Sequence, residues 1–158
     1  ESRRVLFRST APGVPDIYQG TELWEDSLVD PDNRRPVDYA ERLTELDRLA
    51  HPKIRVVAAA LHARRDHPDT FLHGGYLPVL ATGSAAEHVV AFLRGNDVLV
   101  AVTRWTVRLR ERGWADTVLA LPDGTWTDRL TGARLHGSVH AEDLFGSLPV
   151  ALLEKAHD

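Results

Sequence analysis

Tyr18, Gln19 and Glu22 stand on either side of Gly20, and the run after them, 29–39, interleaves carboxylates with Asn33 and the paired Arg34 and Arg35. Aromatic rings stack on the faces of sugars, and carboxylates, amides and guanidinium forks match sugar hydroxyls. Tyr18, Gln19, Glu22, Asp32, Asn33, Arg34 and Arg35 are therefore the candidate substrate-binding residues. Gly20 lets the backbone turn sharply between the first of them. A second set of roles is open to the same side chains. Tyr18 can pack instead of bind, and Glu22 can hold the loop through hydrogen bonds. The arginine pair can order the loop by pairing with Asp30 or Asp32.

Other chemistry is less well matched. Glu22, Glu25, Asp26, Asp30 and Asp32 offer carboxylates for an acid pair, but carboxylates crowded on a loop ordinarily form a solvated surface. The same acids lack the order and the closing Glu of a calcium-binding loop. His136 and His140 are four apart, a helical spacing for a metal, yet Gly137 between them argues against a helix and for a surface position. Trp105, Trp114 and Trp126 could give a stacking platform, although tryptophans in a small sheet domain are more often core or interface anchors. No metal or other cofactor is expected. With no cysteine, disulfides, zinc–thiolate sites and a cysteine nucleophile are excluded. A net charge of −4 gives no footprint for nucleic acid or an anionic membrane. The absence of cysteine also fits a reducing cytoplasm, the expected location.

The elements that must position these residues fall in three zones. Residues 10–38 are rich in proline and carboxylates. Within them 14–18 is a short apolar segment, and 16–18 is predicted to end a buried strand that Pro15 can begin but not continue. Residues 39–68 are helical. Tyr39, Leu43, Leu46 and Ala50 recur at helical spacing behind an N-cap at Asp38, with Glu41 placed for a capping box. Pro52 opens a second helix with the stripe Ile54, Val57, Ala58 and Leu61, which Pro68 ends. From about Phe71 the period changes. The runs 88–93 and 98–103 flank a hairpin turn in which Gly95 and Asn96 suit positive φ, and 117–121, 125–130 and 150–153 are further strands. Turns at Asp123-Gly124 and Thr131-Gly132 complete the pattern of a small antiparallel sheet or sandwich.

The segments PGVPDIYQGTELW (12–24) and LVDPDNRRPVDY (28–39) resemble the last barrel strand and following loop of glycoside hydrolase family 13, the α-amylase family. The branch most similar is the one that forms maltooligosyltrehalose, and 113–117, 121–128, 130–132 and 148–153 resemble its C-terminal β-domain. The resemblance implies an α+β chain. Residues 10–70 would be the last strand, loop and helices of a (β/α)8 barrel, and 71–158 a small antiparallel β-sandwich domain, with a boundary near 68–75. It also implies the reaction: an intramolecular transglucosylation that converts the reducing-end α-1,4 bond of a maltooligosaccharide into an α,α-1,1 bond. The ligand would be a maltooligosaccharide or glucan, with no nucleic acid and no membrane. In that family the nucleophile, the acid/base and the third acid follow strands four, five and seven, ahead of the segment present here. No catalytic residue is assigned to this chain, which alone is expected to be inactive. A stand-alone carbohydrate-binding β-module and part of a hydrolytic α-amylase relative are the alternatives.

The chain lacks an initiating Met, which suggests part of a longer protein. Its start, 1–9, includes Val5-Leu6-Phe7-Arg8-Ser9, which is also the translation of a common sequencing adapter. This leader is expected to be a read-through artefact and is set aside from the reading of the fold.

Overall fold

The computed structural model describes residues 1–24 and 36–156. Six α-helices occur among them: α1 (Ser2–Thr10), α2 (Tyr39–Arg48), α3 (Pro52–Asp66), α4 (Pro68–Leu72), α5 (Thr106–Arg112) and α6 (Ala141–Leu144). The strands are β1 (Tyr76–Val79), β2 (Ala81–Thr82), β3 (Val89–Arg94), β4 (Val98–Thr103), β5 (Val118–Ala120), β6 (Trp126–Asp128), β7 (Arg134–Leu135), β8 (Ser138–His140) and β9 (Val150–Lys155). They make a six-stranded sheet in the order β1-β3-β4-β9-β6-β7 and a three-stranded sheet in the order β2-β5-β8. Every pairing is antiparallel. Helix and sheet are mixed, and no barrel closes among the described residues.

The run Val98–Thr103 has no polar face, and β4 is buried along its whole length. Side chains alternate across a strand, so such a strand must be covered on both sides. Val98, Val100 and Val102 join Phe92, Val150 and Leu152 in one cluster with Leu6 of α1, Val56, Ala60 and Ala63 of α3 and Phe71 of α4. Leu99 and Ala101 join Ala91, Ala151 and Leu153 in a second cluster with Leu119, Trp126, Val139 and Phe145. The result is three layers: helices, the larger sheet and the smaller sheet.

Polar side chains tie the layers at a few buried points. Asp128, 3% exposed, accepts from the backbone N–H groups of Leu130 and Leu152 at 3.0 and 3.2 Å and from the Thr131 hydroxyl at 2.7 Å. Arg94, 2% exposed, donates to the carbonyls of Thr10 and Phe71 at 2.8 and 3.0 Å and reaches that of Gly74 at 3.4 Å. Burial, with a smaller push from the Arg64 charge, lowers its pKa from the usual guanidinium value. Arg129 donates to Glu154 at 2.6 Å and to Asp66 at the end of α3, and His67 meets the same Glu154 oxygen at 3.0 Å.

Several sequence expectations hold. Asp38 caps α2 by accepting from the Glu41 N–H at 2.9 Å, and Pro52 sits in the first turn of α3. The strand 98–103 has the predicted bounds. Others need correction. Residues 16–18 form no strand: Val14 is 91% and Tyr18 80% exposed, and Ile17 is half-buried. Pro12 and Pro15 offer no N–H, and none of the described strands runs alongside to pair with the segment. The deepest face of α3 is Val56, Ala60 and Ala63, whereas Leu61 is 37% exposed, because α1 and the sheet cover the helix from another side. In the β3–β4 hairpin Arg94 pairs with Val98 across three turn residues, and of Gly95 and Asn96 only Gly95 has positive φ, +53°. The leader that was set aside forms α1, and its Leu6 is fully buried.

Two measurements test this architecture. Leu152→Ala empties a fully buried site and should lower unfolding free energy by about 2–5 kcal/mol in denaturant titration; a loss under about 1 kcal/mol would mean the site is not close-packed. The Arg129 hydrogen bond, opposed by desolvation and helped by Arg65, holds the Asp66 carboxyl below its usual pKa. A lowered folded-state pKa adds stability above the unfolded carboxyl value and loses it as pH falls through the folded one. Arg129→Gln should therefore flatten the fall in melting temperature between neutral pH and about pH 3.

Candidate functional site

The loop before α2 is closed by its own short side chains. The Thr21 N–H and hydroxyl both donate to the Tyr18 carbonyl, at 3.3 and 2.7 Å. Gly20 inside this turn has φ of +93°, and a Cβ there would lie 2.9 Å from Val37 Cγ2. Both oxygens of Glu22 accept from the Gly20 N–H, at 3.1 and 3.0 Å. A carboxylate two residues ahead thus satisfies the donor that the turn leaves free.

Two cations from helix N-termini complete the clasp. Arg42, in the first turns of α2, donates through Nε to the Gly20 carbonyl at 3.0 Å and pairs with Glu22 Oε2 at 3.3 Å. Its Nη2 also reaches the Gly20 carbonyl, and Nη1 donates to the Asp38 carbonyl at 3.0 Å. Lys53, in the first turn of α3 and 6% exposed, donates to the Leu23 carbonyl at 2.9 Å and pairs with Glu1 at 2.7 Å. Further along α3, Arg64 donates to the Gly13 carbonyl at 2.8 Å, and partial burial lowers its pKa. Trp24 lies against His51 with ring centroids 5.0 Å apart.

The candidate residues separate accordingly. Glu22 accepts from the Gly20 N–H and pairs with Arg42, contacts that hold the loop's shape. Tyr18 and Gln19 are exposed on the turn. Tyr18 and Glu22 line a cleft of about 370 Å³ with Asp16, Ile17, Thr21 and Lys53, walled on its far side by α1. Asp32, Asn33, Arg34 and Arg35 lie outside the described residues. Of the tryptophans, Trp126 is fully buried, Trp114 stacks on Phe145 with centroids 5.2 Å apart, and Trp105 is half-exposed. His136 and His140 are exposed, just before and at the end of β8 respectively. Among the described residues no group of three or more His, Asp or Glu is placed to hold a metal ion.

Arg42 and Lys53 were not read as loop-holding residues. A signal for them exists: a cation in the first turn of a helix opposes the macrodipole, so its presence there points to an acceptor outside the helix.

With this geometry in hand, the chain is similar to carbohydrate-active enzymes over nearly all its length. No family model matches it. A protein of Mycobacterium tuberculosis that carries the name maltooligosyl trehalose synthase is 66% identical over 148 residues, 94% of this chain and 19% of that protein. The solved maltooligosyltrehalose synthase of Arthrobacter ramosus superposes with a TM-score of 0.88 at 42% identity, over 98% of this chain and 22% of that one. Neopullulanase 2 of Thermoactinomyces vulgaris is 31% identical over 147 residues, 84% of this chain and 21% of that protein. It is maltooligosyl trehalose synthase that the chain resembles, and it spans about a fifth of the length of these relatives.

The clasp makes a direct test possible. Arg42→Ala removes the ion pair and the hydrogen bonds to Gly20 and should speed limited proteolysis within 18–24 while leaving the sheet's melting transition nearly unchanged. Cleavage at the unaltered rate would mean that the loop is held by something else.

Proposed function

We propose that this chain is the C-terminal part of a maltooligosyltrehalose-forming transglucosylase. It would supply the last strand position, loop and helices of a (β/α)8 barrel over 10–70 and a β-sandwich domain over 71–158. The observation that carries this reading is the 66% identity across 94% of the chain, helices and loop included. A stand-alone binding module would account for the sheet but not for the matched helices. The 31% identity to the neopullulanase makes the hydrolytic reading the weaker one.

In the parent enzyme a carboxylate outside this chain displaces the reducing-end glucose from the anomeric carbon of its neighbour, and a second carboxyl group protonates the departing O4. The freed glucose, turned in place, then attacks the covalent intermediate through its own anomeric hydroxyl. The second group accepts that proton, and an α,α-1,1 bond results. Water must be kept from the intermediate, or the outcome is hydrolysis. Tyr18 and Gln19 would contact the maltooligosaccharide from the loop, and Asp32, Asn33, Arg34 and Arg35 from the stretch that follows. Glu22 and Arg42 would set the position of the first two. The chain alone would be inactive. The cytoplasmic location belongs to the same reading.

The test uses a graft. Residues 10–156 should replace the matching fifth of the Mycobacterium tuberculosis relative with retention of a non-reducing product from maltopentaose, followed as loss of reducing ends. Tyr18→Ala and Gln19→Ala in the graft should each lower kcat/KM about three- to tenfold. A folded graft that only hydrolyses maltopentaose, or a free chain that rearranges it, would overturn the reading.

A further inference from the structure

A groove of about 350 Å³ runs between α2 and α3, and most of the residues lining it are apolar. Tyr39, Leu43 and Leu46 bring α2 to it, spaced so that they share one helix face. They are 55%, 64% and 43% exposed, and none of the ten residues of α2 is buried. From α3 comes Leu61, 37% exposed, on the same face as the buried Ile54 and Ala58. Two charged residues, Glu22 and Arg42, reach the groove, and they already pair with each other at 3.3 Å.

A helix of ten residues is marginal in water by itself, and in proteins its stability comes chiefly from packing an apolar stripe. The Asp38 cap and the Arg42 contacts hold α2 at its N-terminal end, yet its stripe lies open among the described residues. Scattered exposed apolar residues need no explanation, but a contiguous set marks a surface that another body covers. A lining this apolar offers a polar ligand few partners, so the occupant must itself be apolar. Two helices side by side present a furrow that the ridge of a third helix fills. The chain spans about a fifth of the length of its relatives, so a parent of that kind has ample polypeptide to supply one. We propose that this groove docks the apolar face of a helix from the part of the maltooligosyltrehalose-forming parent that lies outside this chain. The choice of occupant rests on the functional reading given above. Ile17 and Glu22 line the same groove, so the docked helix also lies against the loop that presents Tyr18 and Gln19.

The experiment compares thiol labelling in the free 158-residue chain and in the graft. The chain has no cysteine, so Leu43→Cys, or Leu61→Cys on the facing helix, gives it a single thiol. Alkylation by iodoacetamide is followed on the peptide that carries the new residue and is scaled to its rate in urea. In the free chain both thiols should react at the rate of an exposed cysteine, and in the graft at least about tenfold more slowly. Equally fast labelling in the two settings would mean that the groove stays open in the parent, and overturns the proposal. Labelling of the free chain that is slow when concentrated and fast on dilution assigns the groove to a second copy, and overturns it as well. The product assay of the graft separates this inference from the functional reading. A graft that forms the non-reducing product while both thiols stay open sinks only the groove. A graft that hydrolyses maltopentaose while both are shielded sinks only the transglucosylase.

Discussion

Burial of β4 on both faces is the constraint from which the remaining architecture follows. A strand with six buried residues cannot sit at a surface, so it demands a cover on each side. The helices supply one and the smaller sheet the other. Antiparallel neighbours β3 and β9 then protect its backbone edges. The helical segment and the β-region consequently share an apolar cluster, in which Val56 and Ala60 of α3 stand with Phe92 and Val100. The loop before α2 gains its position at second hand, since the helices that grip it are themselves seated on this sheet.

That grip is made against the helix dipoles. Arg42 and Lys53 both sit where a positive charge is electrostatically unwelcome. Each is compensated by carbonyls of the loop and by a carboxylate, Glu22 or Glu1. In this arrangement both oxygens of Glu22 meet the Gly20 N–H and one meets Arg42, while Tyr18 and Gln19 face outward. A carboxylate that sequence chemistry groups with sugar-contacting residues also serves the frame of the loop. The residues that present themselves to solvent are its neighbours.

What was legible in the chain was what local chemistry decides. The Asp38 cap, the helix opening at Pro52, the hairpin around Gly95 and the turns at Gly124 and Gly132 are each set by one or two residues whose conformational preferences are strong. The strands β1, β2, β7 and β8 went unread because they are short, and their existence depends on a partner's register instead of on a pattern of their own. The strand expected at 16–18 failed for the converse reason: its residues suit a ladder, but none of the described strands lies beside them. At the candidate site, Tyr18, Gln19 and Glu22 were chosen by residue type. Arg42 was not, because its target lies 22 positions away in the chain.

Arg94 illustrates how a charge can be used for its outline. Four carbonyls, of Thr10 at the end of α1, Phe71 in α4, and Gly74 and Gly75 in the turn that follows, converge on one planar group with no carboxylate among them. Lysine would bring the same charge, but a single nitrogen on a flexible stem cannot span oxygens spread along a fork. What the position selects is a flat, multi-pronged template around which three chain ends set like plaster around a former, so its substitutes must be sought by geometry and not by valence.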